Sequence, residues 1–190
     1  SNDPRIFIPS IYWHLTGKKN LTMERITGIK IDNIEKLRQS GIDTEKIGHI
    51  VAEVLFRQVF EFGVFHGDLH SGNIFVLGPE RVAFVDFGIV GRVDQEMQEN
   101  LADIFVGLVS EDYELLTKVY LKMGILPEDI DEASFKREYQ DILFAYFGKP
   151  FKITSIGELF MNYIRLASRY KVKMTRELLL LDKCILELEG

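Results

Sequence analysis

Two short segments of the sequence carry residue types that phosphoryl transfer requires. The first is His-Gly-Asp-Leu-His-Ser-Gly-Asn at residues 66–73, and the second is Asp86-Phe87-Gly88. Phosphoryl transfer relies on oxygen ligands that hold metal ions and on a group that orients the nucleophile. Asp68, Asn73 and Asp86 are the side chains that could supply these oxygens. The two segments therefore predict a phosphotransfer site.

A predicted β-hairpin connects the two segments. Residues 73–77 and 81–86 are rich in β-branched and aromatic side chains and flank Gly78-Pro79-Glu80, which is typical of a tight turn. If the turn centres on its proline, paired residue numbers sum to about 158 in an antiparallel register. We therefore expect Asn73 and Asp86 to emerge side by side at the open end of the hairpin.

The three side chains suit a nucleotide-bound magnesium ion. Mg²⁺ prefers hard oxygen ligands and takes only one or two carboxylates beside phosphate oxygens and water, so Asn73 and Asp86 are predicted metal ligands. Asp68 lies in the loop before Asn73 and could accept or orient the proton of an attacking hydroxyl or water. Each residue alone would be an ordinary turn former. Their order and the hairpin between them favour phosphotransfer.

Composition bounds the class of protein. A chain of 190 residues with 46% hydrophobic and 27% charged residues is long enough for one well-packed domain. A net charge of −6 gives no broad basic field, so nucleic acid is not an expected partner. Cys184 lies in an apolar helical run and is predicted to be a core residue. Ser1-Asn2 resembles a cleavage scar, and the first residue is not Met, so we expect part of a longer protein.

Predicted elements change in character near Asp32. Residues 6–15 and 21–26 are predicted as two strands around a turn at residues 16–20. From Asp32 onward, apolar periodicity and capping residues predict mostly helices. These are a helix from Asp32, which has capping-box spacing with Glu35, to Gly41; one over 44–62; two between an Asp94 cap and Gly124; one over 133–147; one from a Ser155/Glu158 capping box to residue 170; and one from a Thr175 cap to the C terminus.

This order of elements resembles the large lobe of the protein-kinase-like fold. The chain is more specifically similar to the UbiB family of atypical kinases, also called the aarF-domain family, which supports coenzyme Q biosynthesis and related isoprenoid-lipid metabolism. The resemblance is carried by residues 21–28, 65–76, 85–93, 110–113 and 123–129. It implies an α+β fold that is mostly α, with an N-terminal β-hairpin and a metal-site β-hairpin. Residues 1–31 would then hold the scar, the end of a small lobe and the hinge strands, and residues 32–190 a single compact C-terminal lobe.

The resemblance also implies a role for each site residue. Asp68 becomes the catalytic-loop aspartate, Asn73 and Asp86 become Mg²⁺ ligands, and the backbone of Met23-Glu24-Arg25 meets the adenine of ATP. Structural roles are implied for His66, Phe87 and Gly88. His70 stands where protein kinases place a phosphate-contacting lysine, so it is either a phosphate contact or a loop histidine without that duty.

Two alternatives remain open. The family usually has Ala-Asp-Pro-His-Pro-Gly-Asn in this loop, whereas this chain has a Gly-Asp-Leu-His opening at residues 67–70, which is also found in aminoglycoside and choline kinases. A small-molecule phosphotransferase is therefore one alternative. A pseudokinase that binds nucleotide and partners without chemistry is the other.

Several family features are expected outside this sequence. The phosphate-covering loop, the lysine–glutamate pair and the Lys-Gly-Gln signature would precede residue 1, and a hydrophobic membrane segment would follow Gly190. We expect residues 1–190 alone to bind ATP weakly, to turn it over negligibly and to self-associate through apolar faces near residues 6–13. The expected partners are the small lobe of the same polypeptide and a lipid or isoprenoid substrate. The expected location is the cytoplasmic face, with membrane association through other segments.

Overall fold

The structure is a computed structural model that describes residues 3–146 and 156–189. Its described strands and helices are β1 (Ile6–Phe7), β2 (Ile29–Lys30), α1 (Ile34–Gln39), α2 (Thr44–Phe60), β3 (Val64–His66), β4 (Ile74–Gly78), β5 (Arg81–Phe84), β6 (Val90–Arg92), α3 (Gln95–Val109), α4 (Tyr113–Lys122), α5 (Glu132–Tyr146), α6 (Ile156–Arg169) and α7 (Arg176–Glu189). Strands and helices are thus mixed, with helix predominating, as the sequence predicts.

The chain divides into two compact units. The first unit contains the residues up to Gly91 together with Lys183–Leu188, and the second contains Arg92–Asp182. The sequence led us to expect one body over residues 32–190. Strands β2, β4 and β5 share one sheet with β1 of the N-terminal segment, and the division of the chain near residue 32 stays a prediction.

The sheet of the first unit is built on the predicted hairpin. Its strand order is β1-β5-β4-β2, with β4 antiparallel to β5. Ile74 pairs with Phe84 and Val76 with Val82, so the residue numbers sum to the predicted value. β1 adds to β5 in the parallel direction. The register that sets Asn73 near Asp86 is therefore confirmed.

The two long N-terminal strands that the sequence predicts are wrong. Only Ile6–Phe7 joins the sheet, and the segment after it is held by isolated bridges, one of which pairs Ile11 with Met23. Pro9 has no N–H to donate to a ladder, and Trp13–Leu15 form a 3-10 helix. The two arms still run antiparallel, but as an open connection instead of a continuous hairpin.

Helices α1 and α2 pack beside the sheet and lead into the site. The predicted Asp32 cap is wrong, because the Asn33 side chain accepts the Lys36 N–H that caps α1. Asp43 caps α2 by accepting two backbone N–H groups. The buried face of α2 consists of Ile47, Ile50, Val51, Val54, Leu55 and Val59. Phe62 was predicted on this face but lies beyond the helix end and is half exposed.

The second unit is helical. Asp94 caps α3 as predicted, accepting the Met97 N–H at 2.8 Å, and α4 ends before Gly124, which has a φ of +65°. Thr175 caps α7 as predicted, through an N–H bond of 3.3 Å from Leu178. Ser155, the first residue of the predicted Ser155/Glu158 capping box, lies outside the described residues.

Aromatic side chains form the core of the second unit. Phe135 stacks on Tyr139, and the Tyr120 and Tyr139 hydroxyls are 2.9 Å apart. Burial raises the pKa of Tyr139 to about 12.

Among residues 3–146 and 156–189, no helix combines the length and apolar character needed to cross a membrane.

Candidate active site

His66 joins the catalytic loop to the end of β5. Its Nε2 donates to the Val85 carbonyl at 2.9 Å, and its Nδ1 accepts the Asp68 N–H at 3.1 Å. A ring nitrogen that accepts carries no hydrogen, so these bonds select the neutral tautomer with hydrogen on Nε2. The backbone N–H of His66 donates to Gln58 on α2 at 2.8 Å. His66 therefore holds the start of the loop through three hydrogen bonds.

The Phe87 ring packs against this histidine at an interplanar angle of 51°. The two ring centroids are 4.8 Å apart. A cavity of about 240 Å³ lies beside the pair, and its other lining side chains are mostly apolar, including Val54, Phe62 and Phe84. Such a lining does not suit a phosphate group. The cavity is therefore a mainly apolar space beside His66 and Phe87.

Asn73 ties the two halves of the predicted metal site together. Its side chain is buried, with 6% of the residue exposed. Its Nδ2 donates to the Asp68 carbonyl at 3.0 Å, and its backbone carbonyl accepts the Val85 N–H at 3.0 Å. Within the described part of the chain, no hydrogen bond to Oδ1 is recorded. The amide is therefore oriented by its nitrogen and keeps its oxygen available as a ligand.

Asp86 follows Val85 directly and is held differently. Its φ of +59° lies in the left-handed region, which Asp tolerates better than most residues. Its Oδ1 accepts the Gly88 N–H at 3.3 Å, and the residue is exposed. No group of three or more His, Cys, Asp or Glu side chains suited to a metal occurs among the described residues. Asp86 offers one carboxylate, so a Mg²⁺ ion here would need further oxygen ligands such as phosphate oxygens and waters.

Asp68 carries the strongest electrostatic perturbation of the loop. Lys183 donates a very short hydrogen bond to its Oδ1, and the same contact is an ion pair. This donor, together with the smaller effect of nearby histidines, holds the pKa of Asp68 below its usual range. The carboxylate is therefore ionised at neutral pH. An ionised carboxylate can accept or orient the proton of an attacking hydroxyl.

His70 points its second nitrogen toward the same carboxylate. Its Nδ1 accepts the Gly72 N–H at 3.1 Å, which leaves the hydrogen on Nε2 when the ring is neutral. Nε2 is 3.8 Å from Oδ2 of Asp68, and the ring is half exposed. His70 thus lies on the exposed side of the loop, where its Nε2 can donate a hydrogen bond.

The predicted adenine-binding residues belong to the open N-terminal connection. Hydrogen bonds from Tyr12 to Thr22 and from Glu24 to Ser10, both 2.8 Å, flank the bridge of Ile11 and Met23. In this antiparallel pattern the N–H and C=O of Met23 point away from the partner arm. The backbone N–H and C=O of Arg25, two residues further along, point to the same side as those of Met23. One backbone edge of Met23-Glu24-Arg25 therefore faces away from the partner arm, whereas the Glu24 N–H is already used.

Three contributors to the site were missed from the sequence. Lys183 lies 115 residues from Asp68 along the chain, and Gln58 is an ordinary polar position of α2. Cys184 was expected in the core and is buried, but its Sγ donation to the His66 carbonyl at 3.1 Å was not foreseen. Burial raises the pKa of this thiol to about 11. A charged Asp-Lys pair inside the apolar run of α7 was the one available signal.

Comparison with family models divides the chain in two. Residues 1–120 match the ABC1 atypical kinase-like domain, and residues 139–190 match the UbiB helical domain. The first match covers most of the chain and includes both segments of the candidate site.

Curated relatives and a solved structure agree with this assignment. "Probable protein kinase UbiB" of Xanthomonas campestris pv. campestris (strain B100) is 32% identical over 97% of this chain and 34% of its own length. The protein of the same name from Pasteurella multocida (strain Pm70) is 32% identical over 100% of this chain and 37% of its own length. The chain thus spans about a third of these relatives. The Rv3197–erythromycin complex from Mycobacterium tuberculosis has the same fold, with a TM-score of 0.61 at 19% identity over 99% of this chain and 50% of that chain.

Proposed function

The chain belongs to the ABC1 atypical kinase-like family in its UbiB branch, and on that basis we propose that it is the large lobe of a phosphotransferase or ATPase that uses ATP and Mg²⁺. The proposal assigns the chemistry to Asp68, Asn73 and Asp86. It treats the chain as part of a longer polypeptide, in keeping with its coverage of its relatives.

One observation carries the proposal. The Asn73 side chain bonds to the backbone of Asp68, and its own backbone bonds to Val85, the residue before Asp86. A carboxylate, an amide oxygen and a second carboxylate are thereby linked through two hydrogen bonds. These are the groups that position metal and nucleophile in phosphoryl transfer.

Each side chain has a proposed task. Asn73 Oδ1 and the Asp86 carboxylate hold Mg²⁺, and Asp68 orients the attacking hydroxyl or water and accepts its proton. When bound, the ion neutralises charge on the transferred phosphoryl group. The free backbone edge of Met23 and Arg25 is the proposed contact of adenine, and His70 is a proposed phosphate contact. His66, Phe87 and Gly88 keep the loop and the metal-binding segment in register.

The proposed acceptor is a lipid or isoprenoid compound, and the pathway one of isoprenoid-quinone or lipid metabolism. This acceptor and pathway follow from the family resemblance of the sequence, and the relatives themselves are named as probable protein kinases. Such a substrate agrees with our proposal of a cytoplasmic-face protein that associates with a membrane through segments of the longer polypeptide.

A second candidate is a small-molecule phosphotransferase. The structural neighbour was solved with erythromycin, a hydroxyl-bearing antibiotic, and the Gly-Asp-Leu-His opening at residues 67–70 is shared with aminoglycoside and choline kinases. A pseudokinase scaffold is the third reading, which intact Asp68, Asn73 and Asp86 side chains disfavour.

The proposed partner of this lobe is the small lobe of the same polypeptide. Trp13 is 74% exposed, and Ile8 and Leu15 are more than half exposed. Apolar side chains in such a group favour association. Residues 1–190 alone are expected to turn over ATP negligibly and to self-associate in light scattering. Substantial turnover by the isolated chain, or a clean monomer, would contradict these two expectations.

The test compares acceptors in the full-length protein. Phosphate transfer from radiolabelled ATP is measured with isoprenoid-quinone precursors, with aminoglycosides or erythromycin, and with no acceptor, each with Mg²⁺ or EDTA. The Asp86→Asn variant is the control for metal-dependent chemistry. Turnover that needs both Mg²⁺ and Asp86 supports the proposal, and the active arm identifies the acceptor class. Magnesium-dependent nucleotide binding without turnover in any arm favours the scaffold.

A further inference from the structure

Lys183 brings a cation from helix α7 to the catalytic carboxylate. Its ammonium forms the ion pair with Asp68 and also lies 3.5 Å from Glu187 Oε1. The Lys183 side chain is 45% exposed, so the ammonium remains accessible from solvent. A lysine ammonium has three donors. A third donor is therefore left for a ligand that meets Asp68 from the solvent side.

The neighbouring residue shows that this placement is built into the fold. Cys184 is fully buried, and its thiol donates to the carbonyl of His66, which begins the catalytic loop. Residues 183–188 belong to the same compact unit as the loop. α7 is thus anchored on the loop backbone one residue beyond Lys183. A lysine held this way is unlike a surface lysine that meets a carboxylate by chance.

The catalytic loop lacks a permanent positive charge of its own. Residues 66–73 contain histidines but no Lys or Arg. His70 uses Nδ1 as an acceptor for Gly72, and a histidine, unlike a lysine, carries a charge only when it is protonated. Negative charge spreads over the phosphoryl oxygens during transfer, and fixed cations stabilise it. A lysine bonded to the nucleophile-orienting carboxylate is well placed for that purpose.

We propose that Lys183 is a positioning residue that bridges Asp68 and the transferred phosphoryl group, supplying from α7 the cation that the catalytic loop lacks. The inference rests on the proposed phosphotransfer function. It assigns part of the active site to the helical region that follows the kinase-like domain. Lys183 holds Asp68 toward the nucleophile and offers its remaining donor to a phosphoryl oxygen.

The test measures ATP turnover of the full-length protein with Lys183→Met, Lys183→Arg and Lys46→Met. Lys46→Met is the matched control, because Lys46 forms an exposed ion pair with Glu80 in the same unit, outside the site. We expect Lys183→Met to lower kcat about 100-fold, the scale of one lost charge-stabilising donor. The KM for ATP should change less than about threefold, because the contact strengthens mainly in the transition state. Lys183→Arg should restore most of kcat, and Lys46→Met should match the parent.

The outcomes separate this inference from the proposed function. Unchanged or faster turnover by Lys183→Met would overturn the inference while leaving the function intact, and faster turnover would mark the ion pair as an inhibitory lock. A parent protein whose turnover does not depend on Mg²⁺ or Asp86 would overturn the function itself. Thermal unfolding of each variant is measured in parallel. If Lys183→Met does not fold, Lys183→Gln takes the same test.

Discussion

The proposed catalytic loop and the proposed metal-binding segment after β5 differ in how they are held. In the loop at residues 66–73, His66 and Asn73 are buried and hydrogen-bonded to backbone on both sides. In the segment 86–90 every residue is exposed, and Phe87 retains 40% of its surface. That segment is held by a 3.3 Å bond within the turn and by the Ile89 carbonyl, which accepts the Gly67 N–H at 3.0 Å.

This difference suggests a division of labour. The side chains of Asp68 and Asn73 are held by hydrogen bonds, whereas Asp86 stands in an exposed turn. Preorganised groups stabilise a transition state without reorganisation, and an adjustable ligand suits an ion that enters with its nucleotide. Changes in the loop should therefore affect stability as well as chemistry, and changes at Asp86 should affect chemistry alone.

Removing the loop carboxylate is expected to have the largest effect. Asp68→Asn should lower kcat of the full-length protein about 1,000-fold, within the usual range for a positioned proton acceptor. Affinity for Mg²⁺ and ATP should remain, because Asp68 is not a proposed metal ligand. Steady-state turnover and calorimetric titration measure the two effects. A variant that keeps more than about a tenth of the parent kcat would remove Asp68 from the chemistry.

The reactivity of the Cys184 thiol reports on the contact between α7 and the loop at residues 66–73. Burial raises the pKa of this thiol to about 11. The thiolate fraction near pH 8 is then about 100-fold lower than that of an unperturbed thiol. The rate of alkylation should rise with pH until that pKa is passed, and urea should remove the protection. The 190-residue chain has one cysteine, so iodoacetamide labelling followed by mass measurement is unambiguous. Labelling of the folded chain at the rate of a free thiol would contradict the anchoring of α7.

Gly91, which follows the exposed segment 86–90, is closely packed against a neighbouring side chain. A Cβ added at Gly91 would overlap the buried ring of Phe65. Gly91→Ala should therefore lower the free energy of unfolding by about 2 kcal/mol, as for other overpacked positions. Gly41→Ala is an informative control, because Gly41 has open space but a φ of +70°, which separates backbone strain from overpacking. Urea unfolding measures both. If the Gly91→Ala loss is no larger than that of Gly41→Ala, overpacking at Phe65 is not the cause.

Substitutions at the two proposed metal ligands should differ in their effect on the free energy of unfolding. Asn73→Ala removes a buried bond to the Asp68 carbonyl and should cost about 1–2 kcal/mol. Asp86→Gly changes an exposed turn residue at positive φ without adding strain and should change stability by less than about 0.5 kcal/mol, whereas Asp86→Ala should lose more because alanine is strained at this φ. Thermal unfolding of the three variants tests the contrast. Equal losses at both positions would mean that the two regions are held alike.

The predictable part of this molecule is local. The register of β4 and β5 followed from a turn between two β-rich runs, and the Asp94 and Thr175 caps followed from side chains that bond within three residues. The N-terminal strands failed because Pro9 removes a donor and Trp13–Leu15 wind into a 3-10 helix. The alternation of apolar residues, on which the strand prediction rested, does not reveal either effect.

The least predictable part is what tertiary packing adds to the site. Asp32 was expected to cap α1 but instead accepts the Ser71 hydroxyl at 3.3 Å, while its neighbour Asn33 takes the cap. Lys183 reaches Asp68 from α7, and the neighbouring Cys184 thiol donates to the His66 carbonyl. No spacing rule relates residues so far apart. The roles given to the site residues remain predictions for the measurements above.

The most direct test of the account is calorimetric titration of the full-length protein with a non-hydrolysable ATP analogue, with Mg²⁺ or EDTA present, for the parent and Asp86→Asn. The account predicts that Mg²⁺ strengthens binding to the parent at least tenfold, a difference of about 1.4 kcal/mol. Asp86→Asn should lose that gain and bind like the parent in EDTA. Equal magnesium-dependent affinity in the two proteins would contradict the assignment of Asp86 and Asn73 as the metal site.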